Sequence, residues 1–135
     1  MYFKDSQHLE DVLYNFFIYL INNTDIGDKL LTHKVKIRFN YTEPNLFINI
    51  DCSKNKVEVS VNNNSFEPEI ELFMNADIAH KFWLGKVNLV MAVTKQEIKV
   101  KGSFPKLLLL LPIITPAYKI YPKYLKEKGF ENLLL

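Results

Sequence analysis

The chain has 135 residues, 48% of them hydrophobic and 13% aromatic; that suits one domain with a substantial core and excludes a disordered chain. Its net charge of +2 is too small for the usual footprint of nucleic-acid binding, and its one cysteine, Cys52, excludes an internal disulfide. The N-terminus lacks the basic-then-apolar run of a signal peptide, and the most apolar stretch, Leu107 to Ile114, spans eight residues against the about 20 of a membrane helix, so a soluble cytoplasmic protein is expected.

Leu9, Val12, Leu13, Phe16, Phe17, Leu20 and Ile21 recur at helical spacing. They predict one amphipathic helix, capped by Asp5 or Ser6 and ended at Asn22-Asn23-Thr24. A short helical turn follows over Ile26 to Leu31. The period then falls to two. Val35 to Tyr41, Leu46 to Cys52, Val57 to Val61 and Ile70 to Met74 each alternate apolar and polar residues, as strands with one buried face do. Short, turn-rich connections between them predict an antiparallel meander.

From Asn75 the period is helical again. Asn75 or Asp77 caps a helix that carries Ile78, Ala79, Phe82 and Trp83 and ends near Gly85. Asn88 to Thr94 predicts a short helix. Lys95 to Lys101 predicts a fifth strand, ended by Gly102 and placed beside the first strand. Ser103 to Leu111 predicts a leucine-rich helix broken by Pro112 and Pro116. Ala117 to Lys128 predicts a last helix, stopped by Gly129. The order describes a single α+β domain over residues 1–135.

Charge is unevenly spread. Glu43 to Asp77 holds seven acids against Lys54 and Lys56, whereas Lys86 to Lys128 holds nine lysines against Glu97 and Glu127. The basic part is also the most apolar, a combination suited to transient contact with anionic membrane surfaces. Chemistry is hard to find. His8, His33 and His80 lie at no metal-ligand spacing from one another or from Cys52, so no metal site is expected. His80, beside Phe82 and Trp83, reads as a structural histidine, and Cys52 as a small buried hydrophobe. No nucleophile elbow or phosphate-cradling glycine loop is present. The aromatics fall on core-facing positions and do not interleave with lysines, which argues against nucleic acid.

The second half carries a more specific pattern. Asn75-Ala76-Asp77-Ile78-Ala79-His80-Lys81-Phe82-Trp83-Leu84-Gly85-Lys86-Val87-Asn88 is followed by Met91-Ala92 and by Ile98-Lys99-Val100-Lys101-Gly102. This resembles the sterol carrier protein 2 family of lipid-binding domains. The closing Leu107 to Pro112 and Tyr121-Pro122-Lys123-Tyr124-Leu125 look like its bacterial branch. Two positions depart from the pattern. Leu89 follows Asn88 where many relatives have proline, and Leu133-Leu134-Leu135 replaces the peroxisomal tripeptide of eukaryotic members.

The resemblance implies a five-stranded, mostly antiparallel sheet covered on one face by helices, with an apolar tunnel between them. It implies non-catalytic binding and transfer or storage of a fatty acid, acyl-CoA, phospholipid or sterol, without cofactor or metal. Residues suited to line such a tunnel are Phe82, Trp83, Leu89, Met91, Phe104, Leu107, Leu108, Leu111 and Ile114. Tyr118, Tyr121 and Tyr124 share one side of the last helix and suit a tunnel mouth, with Lys119 or Lys123 drawing a carboxylate. An alternative from another class is an accessory subunit with a filled core, whose exposed leucines form a protein interface, a homodimer included.

Overall fold

A computed structural model describes residues 1–135. The Asp5 side chain accepts the His8 N–H at 2.8 Å and starts helix α1 (Ser6–Asn23), which buries Leu9, Val12, Leu13, Phe16, Phe17 and Leu20. Helix α2 (Ile26–Leu31) follows after Thr24, whose hydroxyl accepts from the Ile26 N–H. Strands β1 (Lys36–Thr42), β2 (Leu46–Asp51) and β3 (Glu58–Val61) form an antiparallel meander.

The fourth strand leaves the expected meander. Strand β4 (Ile70–Asn75) pairs in parallel with β1, Phe39 opposite Leu72. Strand β5 (Lys99–Lys101) pairs antiparallel with β4. The sheet order is therefore β3-β2-β1-β4-β5, and β4, not β5, lies beside the first strand. The cause is on the outer face of the sheet. The segment from Asn62 to Glu69 is no tight hairpin; it carries the chain from one edge strand to the far side of β1. Arg38 holds it there, donating to the carbonyls of Phe66 at 2.8 Å and Asn63 at 3.2 Å, and to Asn49 Oδ1 at 2.8 Å. Its guanidinium stacks over Phe47, 4.7 Å from the ring centre. Asn49, itself buried, donates to the Asn63 carbonyl and to Ser60.

The inner face of the sheet carries Ile37, Phe39, Tyr41, Ile48, Ile50, Ile70, Leu72 and Met74, and these join the core beneath the helices. Asn75 caps helix α3 (Ala76–Trp83) through the Ile78 N–H at 2.8 Å. Helix α4 (Leu89–Thr94) is capped by Asn88. Gly102, at φ +102°, ends β5 where a side chain would collide with the Glu69 carbonyl, so only glycine fits. Helix α5 (Phe104–Ile114) then begins at Ser103. Pro112 does not break it, contrary to the sequence expectation. It lies on the exposed side of the helix, where water can reach the Leu108 carbonyl that loses its ladder partner. Helix α6 (Ala117–Glu127) likewise passes through Pro122, and a 3₁₀ turn (Glu131–Leu133) follows.

An apolar cavity between the sheet and the helices

The alternation of β1 sends Ile37 and Phe39 inward, and the helical stripe of α1 sends Phe17, Leu20 and Ile21 down to meet them. Between these layers lies a cavity of about 40 Å³, room for one or two waters. Ile26, Gly27 and Leu30 of α2 form one wall, and Ile50 extends the floor. Trp83, Ile114 and Ala117 close the other side, and Val57 closes the edge next to β3. Apart from Gly27 every lining residue is hydrophobic. The Trp83 indole is fixed edge-on against Phe17, 5.3 Å between ring centres, and against Phe82 at 5.1 Å. The continuous tunnel that the resemblance implies is not shown; the space found here is about 40 Å³. Ligand pockets usually hold roughly 300–1,000 Å³, well above this volume.

One boundary of the cavity is thin. Ile21, Gly27 and Val57 also line an open hollow on the surface between α1, α2 and β3. A β-carbon on Gly27 would stand 3.4 Å from Val57 Cγ2 and 3.6 Å from Ile21 Cγ1. The wall between cavity and hollow is thus made of the Ile21 and Val57 side chains and the bare backbone of Gly27. Asn22, Asp28, Asn55, Lys56 and Glu58 rim the hollow.

Of the residues that the sequence singles out, Trp83 and Ile114 line the cavity. Leu89 and Leu107 are buried elsewhere in the core. Phe82 is buried against Trp83 and Tyr118. Phe104 and Leu111 are half-buried, while Met91 and Leu108 are exposed. Tyr118 lies with Leu89, Val90 and Leu111 in a second surface hollow. Tyr121 is fully buried, its hydroxyl donating to His80 Nδ1 at 2.8 Å, and Tyr124 donates to the Val12 carbonyl at 2.8 Å. None of these three tyrosines lines the cavity. Sequence reasoning missed the share of the N-terminal half, above all Phe17, Leu20, Ile37 and Phe39. Their period marks them as core, and no periodic signal separates a side chain facing a void from one facing atoms.

Polar chemistry near the cavity is sparse. The Leu133 carbonyl can only accept, so His80 donates Nε2–H to it at 2.7 Å and Nδ1 accepts from Tyr121. Both ring nitrogens are thereby spent, and burial holds the imidazole below its ordinary pKa. Burial, with Asp51 adding to it, pushes the Cys52 thiol up to about 12, far from thiolate reactivity. No group of three His, Cys, Asp or Glu side chains has the geometry to hold a metal ion. No helix is long and apolar enough to cross a membrane. One buried side-chain polar atom, the Tyr41 hydroxyl, has no hydrogen-bond partner.

The sequence matches no family model and no curated protein. The fold does find counterparts. Sterol carrier protein 2 from Yarrowia lipolytica superposes with a TM-score of 0.68 at 17% identity, over 87% of this chain and 98% of that one. The sterol carrier protein domain 2 of Helicoverpa armigera gives 0.61 at 20% identity, over 80% and 88%. The ubiquinone synthesis protein UbiJ-SCP2 gives 0.55 at 13% identity, over 83% and 89%. The chain therefore has the fold of sterol carrier protein 2 domains.

Proposed function

We propose that the protein binds a lipid between its sheet and its helices and carries or stores it without acting on it chemically. The observation that carries this reading is the cavity, lined by hydrophobic side chains and sharing Ile21, Gly27 and Val57 with the hollow on the surface. The naming of the structural neighbours as sterol carriers supports it. So does the absence of a nucleophile and base from the lining. Burying a sixteen-carbon chain contributes on the order of 12 kcal/mol before association costs, at about 0.8 kcal/mol per CH₂. Part of that gain is spent separating the packed side chains.

Delivery at a membrane fits the outer surface. Pro105, Leu108, Leu109 and Pro112 follow one another at helical spacing on the solvent side of α5. Val90 and Met91 of the neighbouring α4 are exposed as well, and Val90 shares a hollow with Leu111. A surface helix is ordinarily polar on its outer face. This one is apolar, within a region of nine lysines and two acids. Two such faces would repel each other, whereas an anionic bilayer complements them.

Comparison of native and denaturing mass spectra of the purified protein tests the binding. The expected result is a co-purifying lipid, released on denaturation. Trp83 is the single tryptophan and lines the cavity, so its fluorescence should shift as fatty acids or long-chain alcohols are added. A protein that carries no lipid and whose emission ignores every added lipid would refute the reading.

A further inference from the structure

Beyond the cavity, on the same inward face of β1, an unsatisfied group is buried. Tyr41 follows Ile37 and Phe39 on the inward side of β1, and both of these line the cavity. Its ring stacks on Phe39, 6.1 Å between centres and 13° from parallel. The residue is 3% exposed, and its hydroxyl meets no partner in hydrogen-bond geometry. The Trp83 indole stands close enough to perturb the phenol without completing a bond. A buried unpaired hydroxyl is costly. Phenylalanine would fill the same space without that cost.

We infer that the Tyr41 hydroxyl, one step along β1 beyond the cavity-lining Phe39, is the polar anchor of the bound lipid, reached as the packed side chains part and taking the single uncharged oxygen of a lipid that enters oxygen-first past Gly27 and lies along β1. This rests on the carrier reading and names the ligand class for it: an apolar body with one terminal hydroxyl or carbonyl. The oxygen would accept from the Trp83 indole N–H and exchange a hydrogen bond with Tyr41. A carboxylate does not suit this end, because no lysine or arginine is among the lining residues and an unpaired buried charge is expensive. Fatty acids would instead enter tail-first and leave their charge at the rim, where Lys56 is the one cation.

The test compares wild type with Tyr41→Phe, using Trp83 fluorescence and three probes of equal length: 1-hexadecanol, hexadecane and hexadecanoate. The ratio of the two dissociation constants is read for each probe, so differences in water solubility cancel. The expected result is a five- to tenfold weakening for the alcohol and no change for the hydrocarbon or the fatty acid, the range set by one buried hydrogen bond. The variant should melt no lower than wild type, since it loses an unpaired hydroxyl. Equal alcohol binding by both proteins overturns the anchor while the carrier reading stands. If none of the three probes binds wild type, both fall.

Discussion

His80 on α3 donates its Nε2–H to the Leu133 carbonyl at 2.7 Å, tying the last 3₁₀ turn of the chain to the core. The bond fixes the neutral tautomer, with Nδ1 left to accept from Tyr121. Desolvation lowers the folded-state pKa, opposed in part by the Leu133 bond and by Asp77. The unfolded imidazole, near 6.5, therefore takes up its proton first as pH falls. Stability from this site is complete above about pH 6.5 and declines below it, by at most about 1.4 kcal/mol per pH unit. Denaturation midpoints measured from pH 7.5 to 5 should show the decline. His80→Phe should start about 2–3 kcal/mol lower, with two buried partners unpaired, and should lose that part of the slope.

Gly27→Ala sets a β-carbon in van der Waals contact with Val57 and Ile21 and thickens the wall between cavity and hollow. The backbone there is ordinary helix, so the change introduces no strain in φ. Stopped-flow Trp83 fluorescence should show uptake slowed by about tenfold, as 1.4 kcal/mol of added barrier gives. Circular dichroism should be unaltered. Uptake at the wild-type rate would place the entrance elsewhere.

Leu109 is 67% exposed on the apolar side of α5, so Leu109→Glu should leave the melting temperature within about 0.5 kcal/mol equivalent. Co-sedimentation with phosphatidylserine-containing vesicles should fall by about tenfold, because a leucine is withheld from the interface and a like charge is added. Unchanged partitioning would exclude this face as the docking surface.

Arg38→Ala removes the three donors that bind Asn49 and the Asn63 and Phe66 carbonyls. The expected loss is about 2–3 kcal/mol in urea denaturation. Hydrogen exchange should rise first between residues 62 and 69, because that crossing segment loses its clamp.

Those long-range bonds also mark where the sequence stops being informative. Periodicity locates the helices and strands, since burial on one side of an element leaves a local trace in Leu9 to Ile21 or Val35 to Tyr41. The parallel pairing of β1 with β4 leaves none. It depends on Arg38 reaching residues 25 and 28 positions away. Pro112 misleads for a related reason: its cost depends on whether the orphaned carbonyl faces water, which the fold decides. The candidate site shows the same boundary. Trp83 and Ile114 are legible as large apolar groups in the C-terminal half. Gly27 acquires a role only through Val57, which stands 30 positions away and meets it across the edge of the sheet.

The small cavity volume has a kinetic consequence. A standing void of 300 Å³ would cost about 7 kcal/mol, at about 24 cal/mol per Å³, which rivals the whole stability of a typical domain. Packing to about 40 Å³ avoids most of that. A lipid bound as proposed would meet a packed core, and its arrival would wait for Phe17, Ile37 and Trp83 to part. Loading should reach a ceiling set by how often the core breathes, above which the abundance of the donor no longer matters.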